Sequence, residues 1–573
     1  MDAASERGWL KDFSRIALIA LFAVGLRAWI ISHTEVAARD SIGFIRFAAH
    51  LDSPPLDYSD PTWSTRSASG FFPDSEDRQN PLAERVDHVN PESGQNPLAE
   101  RVDHVRKLSR LEVIRRSEHP PGYPVAIWLM SHPVRAITGK SMTDPDTMVL
   151  TCQIVSATAG LLLIMPVYFL GCMILPNRDL AFIATLIFQS LPVFIEITSD
   201  GLSDGMYLLS ITSTLWVGAM AFRSPSWWKF TLAGVGAGLT YLVRPEGLMV
   251  AVAIGSLIAL LKLRSLWTWR ASFASGSALT LGVFLVCVPY VGVIGKLTNK
   301  PTGGHLINRL LGRETPPAWK GESSLPRTTL FATWYQGERP KSLWATQAIG
   351  KEMSKTGNYI VPVLGIVGLG LLARRMWNDP AFLLVGMLGL VNVSILFAVA
   401  MGIGYVSERH TLLVVMLSCY FAASTIPIIG RRISEVALIR RGDVVLWTRV
   451  TVLAVVIAGL PVALHPLHAN RAPHHAAGLW LKENAESNAL ILDPFCWSEY
   501  YAGHAWGYGP PRPPHHVGPI YVVIEPSNGN PHSRLPLIEM TRTMMQAGKP
   551  VWHYPSEGSV ETAKVVVYRV LPE

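Results

Sequence analysis

Ionisable residues stand where long apolar runs of this chain end: Asp40, His119, Glu196, Asp200, Asp204, Arg244, Glu246, Glu408, Arg409 and His410. Asp40, in Arg39-Asp40-Ser41-Ile42-Gly43-Phe44, follows an apolar helix and precedes a half-apolar stretch with Ile45, Phe47, Ala48 and Leu51. A carboxylate where water meets lipid can serve as a base on an amphiphilic substrate. Arg244, in Leu-Val-Arg-Pro-Glu-Gly, is fixed by its neighbouring Pro and Gly. It either snorkels, paired with Glu246, or offers a bidentate guanidinium to phosphate. His119 opens the stiff His-Pro-Pro-Gly-Tyr-Pro run that includes Tyr123, and is either a solvated loop imidazole or a group that binds phosphate or assists proton transfer. Asp200 and Asp204 are four apart, so on one helix they share a face. They could hold a divalent cation with water or phosphate, or cap and compensate the dipole of the next helix.

The elements that must position these groups are apolar. Of 573 residues, 49% are hydrophobic and 16% charged, and the mean hydropathy is +0.27. That balance excludes an ordinary soluble enzyme and indicates a polytopic membrane protein. The net charge of +8 lies largely between the apolar runs, where Lys and Arg orient spans, so a nucleic-acid partner is set aside. Taking about 20 apolar residues per crossing predicts about eleven spans between residues 14 and 465. The stretch 121–137, with Pro124, His132, Pro133 and Arg135, reads as interfacial or re-entrant. Short loops carrying Arg178, Arg223, Lys229, Lys262, Arg264, Arg270, Arg374, Arg375, Arg431, Arg432, Arg440 and Arg441 then share one side. The N-terminus is cytoplasmic, the tail extracytoplasmic, and the chemistry-bearing residues gather on the outer side of the cytoplasmic (inner) membrane.

Residues 1–466 form the membrane part. The first outer loop, 33–120, holds an identical 11-residue unit at 79–89 and 95–105, a polar duplicated insertion with no chemistry assigned. Residues 467–573 read as a small α/β domain, with helices over 476–487 and 535–546 and strands over 489–492, 520–524, 551–554 and 564–570. Cys152, Cys172, Cys287 and Cys419 lie in or beside apolar runs and Cys496 alone in polar surroundings, so no disulfide framework arises. His465, His468, His474 and His475 lack a metal-binding spacing. Arg27, near the outer end of the first span, is expected to snorkel or to pair with Asp40 or Glu35.

In this order the motifs resemble those of the GT-C membrane glycosyltransferases: Leu26-Arg27 closing the first span, Asp40 before an interfacial helix with Phe44 and Ala48, and His-Pro-Pro-Gly-Tyr-Pro at 119–124. Tyr-Leu-Val-Arg-Pro-Glu-Gly at 241–247 and Ser-Glu-Arg-His-Thr-Leu at 407–412 complete the series. The closer likeness is to the protein mannosyltransferase and aminoarabinose-transferase branch, including the bacterial RgtA/B/C/D-like domain, over about residues 10 to 430. Phe44 stands where that branch usually has Tyr, and His119 where Lys often precedes the prolines.

The resemblance implies a mainly α membrane bundle and a polyprenyl-phosphate-linked sugar donor. It also implies transfer on the periplasmic or lumenal face, with Asp40 as base and the 119–123 motif at the phosphate. The residues themselves supply what glycosyl transfer needs: Asp40 for the acceptor hydroxyl or amine, and Arg244, Arg409, His410 and His119 for the departing phosphate. Direct displacement inverts the anomeric centre. A retaining route needs a second close carboxylate, for which Glu35, Asp200 and Asp204 are available. The expected partners are the donor, a lipid, glycan or protein acceptor, and membrane lipids; the one cofactor left open is a divalent cation at Asp200 and Asp204. The rival readings are an exporter, with midplane charges and two related halves, and another transferase or ligase using lipid-linked donors, with a nucleophile and metal ligands in the tail.

Overall fold

Helix α1 (Ala3–Ser32) opens on a charged stretch and becomes apolar after Arg15, then gives way to the buried strap Val36-Ala37-Ala38 and to α2 (Arg39–Asp52). The structure, a computed structural model, describes residues 3–54, 108–300, 332–436 apart from 336 and 338, 442–526 apart from 494 and 505–517, and 544–571. The duplicated unit at 79–105 and residues 535–543 of the expected tail helix lie outside the described residues.

Helix α2 is amphipathic, burying Ile42, Ile45, Ala48 and Ala49 at helical spacing. Next come α3 (Arg110–Arg116), opened by a capping box of Ser109 and Glu112, and α4 (Gly122–Thr138), closed by Gly139 in the left-handed conformation. Phe47 and Leu51 of α2, Val113 of α3, and Val125 and Trp128 of α4 pack together, so these three helices form one layer. The 121–137 stretch is thus an unbroken helix despite Pro133, lying against α2 and its successor α5 (Pro145–Leu162).

The bundle continues with α6 (Ile164–Ile174), α7 (Arg178–Gln189), α8 (Pro192–Ser199), α9 (Asp204–Arg223), α10 (Trp227–Val243), α11 (Met249–Leu263) and α12 (Trp269–Ile294). It closes with α13 (Lys341–Thr356), α14 (Ile360–Asn378), α15 (Pro380–Ile403), α16 (Glu408–Val436) and α17 (Val444–Ala463). Strand β1 (Ala332–Trp334) pairs antiparallel with β2 (Tyr405–Ser407) just before α16.

Every expected apolar run is helical, but the count of spans differs from eleven. Among the described residues nine helices are long and apolar enough to cross a membrane, or ten if α7 and α8 make one bent span. Pro192 separates that pair, which bends by 60°. Helix α10 has only 17 residues because Arg244 turns extended and Pro245 follows. Arg27 also departs from expectation. It is fully buried, donating to Thr198 Oγ1 at 3.0 Å, Gln189 Oε1 at 3.1 Å and the Ala23 carbonyl at 3.1 Å, so it pins α1 to α7 and α8 and meets neither Asp40 nor Glu35.

After α17 the chain forms α18 (Ala472–Asn484), β3 (Leu490–Leu492), α19 (Trp497–Tyr501), β4 (Ile520–Ile524), β5 (Lys549–Tyr554) and β6 (Val565–Val570). The sheet runs β3-β4-β6-β5, with β3 and β4 parallel and the other pairs antiparallel. Ala477 and Leu481 of α18 cover Tyr521, Val523, Val565 and Val567 on one face. Leu490, Leu492, Ile520, Val522 and Val570 form a second buried cluster on the other face, so the inner strands are covered on both sides.

Helices α10 and α12 meet backbone to backbone. A Cβ on Gly282 would lie 2.2 Å from the Thr231 carbonyl oxygen and 2.7 Å from the Val235 nitrogen, and neither atom can yield. Gly282→Val is expected to destabilise the protein by about 1–3 kcal/mol through overpacking. A lowered Tm of the detergent-solubilised protein checks this; an unchanged Tm would mean the two helices are not in this contact.

Candidate active site

Asp204 occupies the first position of α9, where a carboxylate suits the positive end of the helix dipole. It is almost completely buried, and two guanidinium groups neutralise it. Arg244 Nη1 donates to Oδ1. Arg409, in the first turn of α16, donates to Oδ2 from Nη2 at 2.8 Å and from Nε at 3.3 Å. The remaining Arg409 nitrogen, Nη1, reaches Asp40 Oδ2 at 2.7 Å. One buried carboxylate thereby ties α9, α10 and α16 together, and its second arginine extends the tie to α2.

The hairpin that delivers Arg244 is built from its own sequence. Arg244 is extended, Pro245 starts a single 3-10 turn ending at Leu248, and the Gly247 N–H returns to the Arg244 carbonyl at 2.8 Å. A Cβ on Gly247 would stand 2.5 Å from the Thr240 carbonyl carbon, so only glycine lets the turn fold back onto α10. Glu246 lies alongside, its Oε2 3.8 Å from Arg244 Nε and its Oε1 3.9 Å from Lys300 Nζ. Arg244 also lies over the Tyr207 ring, 5.4 Å from its centroid.

Arg409 and His410 are aimed by the β1–β2 ribbon immediately before α16. The His410 ring stands edge-on to Tyr405 at 5.4 Å, and its Nδ1 is 3.3 Å from Ser407 Oγ. His119 comes from the other side, its ring 4.6 Å from that of Phe44, one turn beyond Asp40 on α2. His119 Nε2 lies close over Gly43, 3.6 Å from where a Cβ would stand, which is ordinary van der Waals contact.

The electrostatics follow from these neighbours. For Asp40, enclosure works upward, but Arg409 outweighs it with help from His119 and Arg39, and the carboxyl is held below the usual carboxylate range. Half of its side-chain surface nevertheless remains open to solvent, at 53%. Burial pushes His119 down to about 4, with Lys300 adding to the fall and Asp40 opposing it, so the imidazole is neutral at pH 7. Burial also lowers the Lys300 ammonium, against the pull of Glu246. Three cations (Arg244, Arg409, Lys300) thus meet three carboxylates (Asp40, Asp204, Glu246) around two imidazoles.

Of the residues singled out in the sequence, Asp40, His119, Asp204, Arg244, Glu246, Arg409 and His410 come together. Tyr123 does not present its hydroxyl there. That group is buried and donates to the Cys152 carbonyl at 3.3 Å, while the ring stands edge-on to Phe44. Asp200 is also elsewhere. Gly201 takes φ of +71° and interrupts the helix, so Asp200 and Asp204 share no face. Asp200 instead accepts from the Ala38 N–H at 3.0 Å and meets His468 Nε2 at 2.8 Å. Among the described residues no group of three or more His, Cys, Asp or Glu is arranged to hold a metal ion.

Lys300 is the member sequence reasoning missed. It sits in a polar loop past α12 and is brought over the site by Asn299, which donates to the Arg115 and Ser117 carbonyls at 3.0 and 2.6 Å. No periodicity or motif marks it, and only its position just past an apolar run offers a signal.

Removing one member of a buried charge cluster leaves the others uncompensated, typically at a cost of about 3–5 kcal/mol. Asp204→Asn is therefore expected to lower Tm markedly. A variant that melted like the wild type would show that Asp204 does not hold the two arginines.

The family model of dolichyl-phosphate-mannose-protein mannosyltransferase matches residues 118–291, which include His119, Asp204, Arg244 and Glu246. No curated protein matches the chain by sequence. Among solved structures, the Archaeoglobus fulgidus oligosaccharyltransferase, in complex with zinc and sulfate, superposes with a TM-score of 0.53 at 12% identity, over 87% of this chain and 62% of its own. The chain thus spans less than two thirds of that enzyme. ArnT from Cupriavidus metallidurans bound to undecaprenyl phosphate superposes with a TM-score of 0.52 at 10% identity, over 99% of both chains. Its apo state gives 0.51 at 11% identity, over 99% of this chain and 100% of that one. The order of motifs, the family match and these superpositions agree: the chain has the fold of the GT-C membrane glycosyltransferases.

Proposed function

We propose that the protein is a membrane glycosyltransferase that moves a sugar from a polyprenyl-phosphate-linked donor to a hydroxyl or amine of a lipid, glycan or protein acceptor. The observation that carries this reading is Arg409, shared between the buried Asp204 and the solvent-open Asp40. A carboxylate able to take a proton and a guanidinium able to take a phosphate stand in direct contact, at the end of a membrane bundle. The fold supports the donor class, since the same fold in ArnT has been solved with undecaprenyl phosphate bound.

In the proposed reaction Asp40 accepts the proton of the acceptor hydroxyl or amine while its oxygen or nitrogen attacks the anomeric carbon. The bond from that carbon to the phosphate oxygen breaks, and the electron pair leaves with the phosphate. Arg409, Arg244 and Lys300 stabilise the charge that develops there, with the neutral His119 and with His410 as hydrogen-bonding partners. Attack opposite the leaving phosphate inverts the sugar. The donor phosphate and Asp40 compete for Arg409 Nη1, so binding of the donor loosens the hold on the base. We place the site on the outer face of the cytoplasmic membrane, because Arg178, Arg223, Lys262, Arg374 and Arg431 cluster at the opposite end of the bundle.

Asp40→Asn is expected to insert normally and to lose transfer by on the order of 10²-fold or more. Mass spectrometry of lipid extracts from cells making this variant should reveal accumulated polyprenyl-phosphate sugar, which identifies the donor. Full transfer by Asp40→Asn would sink the base assignment.

The pH profile gives an independent check. A carboxyl held below its usual range stays ionised as pH falls, so the acid limb of kcat/KM lies below that of an ordinary carboxylate. Arg409→Gln removes the main cause, and the acid limb of its residual activity is expected to move to higher pH. An unmoved limb would exclude Asp40 as the titrating base.

A further inference from the structure

The strap Val36-Ala37-Ala38 that aims Asp40 is buried but belongs to no helix or strand, so its backbone groups need partners from elsewhere. Two of them come from the tail, more than 450 residues away in sequence. The indole Nε1 of Trp497 donates to the Ala37 carbonyl at 2.8 Å, and the Ala37 N–H donates to the Tyr501 hydroxyl at 3.2 Å. The Ala38 N–H goes to Asp200 Oδ1, whose other oxygen is held by His468, also in the tail. Ser41 Oγ donates to the Asp200 carbonyl at 2.9 Å, so the first turn of α2 is tied to the same point.

The gripping helix is itself firmly seated. The Arg471 guanidinium lies over the Trp497 ring, 5.0 Å from its centroid, and donates to Glu525 at the end of β4 at 2.7 Å. Gly478 of α18 lets α19 pack close, since a Cβ there would stand 2.6 Å from that of Tyr501. Tyr500 bonds the Pro145 carbonyl at the start of α5 at 2.9 Å. A continuous path therefore runs from the tail sheet through α18 and α19 to the strap, and from the strap to Asp40.

We propose that Trp497 and Tyr501 are positioning residues for the transfer reaction: by holding both backbone polar groups of Ala37, the tail sets where α2 begins and thus where the Asp40 carboxylate stands. This inference rests on Asp40 being the base. A base displaced by about 1 Å can cost on the order of 10²-fold in rate, so a grip on the strap suffices to make the tail necessary for turnover without touching substrate.

The test uses the full chain in nanodiscs, with Trp497→Phe and Tyr501→Phe singly and together, each keeping a ring and removing a hydrogen bond. In the double variant, hydrogen exchange over residues 36–41 is expected to accelerate, while 520–524 and 565–570 stay protected. Binding of undecaprenyl phosphate, followed by native mass spectrometry, should remain within about twofold. Transfer in membranes of the producing cells should fall by about tenfold or more. Tyr500→Phe, which cuts the bond to α5 and leaves the strap untouched, should transfer normally. The proposal is overturned by normal transfer in the double variant, by an equal loss in Tyr500→Phe, or by loss of undecaprenyl phosphate binding together with protection of β4 and β6, which would mark a folding role alone. Activity of Asp40→Asn would instead remove the base reading beneath it, whereas an inactive Asp40→Asn beside a fully active double variant removes the clamp only.

Discussion

A carboxylate buried like Asp204 is tolerable only if its charge is met, and here two guanidinium groups meet it. The requirement fixes more than one side chain. Arg244 must arrive from the α10–α11 hairpin and Arg409 from the first turn of α16, so three helix ends are held at one point. Arg409 then has a single nitrogen left for Asp40, and α2 is drawn in over the same point. The rest of the site, His119 against Phe44 and Lys300 beside Glu246, is arranged around that fixed centre.

The two ends of the bundle use charge differently. At the end opposite the site, Asp12 accepts from Tyr168 at 2.6 Å and from Arg178, and Arg15 bonds Asp179, so pairs of opposite sign tie neighbouring helices. Arg223 and Asp379 do the same between α9 and α15 at 3.2 Å. Asp12 is buried beneath this layer, whereas the Arg15–Asp179 and Arg223–Asp379 pairs lie near the surface and contribute modestly to stability. At the site end the charges are drawn inward, where one carboxylate serves two cations and one cation serves two carboxylates. Desolvation makes such a network costly to disturb and gives its members strongly coupled electrostatics.

Much of this was legible in the sequence, for reasons that differ from residue to residue. Arg-Pro-Glu-Gly at 244–247 could be read as a fixed turn because Pro245 stops α10 and Gly247 permits the return. The apolar runs became helices because their composition leaves few alternatives, and the tail strands at 490–492 and 520–524 follow their short, continuous apolar and β-branched content. The pairing of Asp200 with Asp204 failed because spacing alone assumes an unbroken helix, and Gly201 breaks it. Arg27 was misread because a single arginine in a span can snorkel or be buried, and only the polar Thr198 and Gln189, remote in sequence, decide which. Lys300 and the grip of Trp497 and Tyr501 on Ala37 depend on contacts between distant segments, to which no local pattern points.

The near balance of three cations and three carboxylates bears on how the proposed donor would enter. A site with an excess of positive charge would hold any phosphate, including the product after transfer. In a balanced one, the proposed phosphate would bind by exchange, gaining Arg409 Nη1 as Asp40 gave it up, while the bonds from Nη2 and Nε to Asp204 would keep the guanidinium in place. The net gain on binding is then smaller than the sum of the contacts, because one ion pair replaces another. In return the carboxylate would be freed only when a phosphate was present to leave. Coupling of this kind favours stabilisation late in the reaction over tight binding of the ground state. It requires that Arg409 not swing away with the departing phosphate, and the buried Asp204 supplies that restraint.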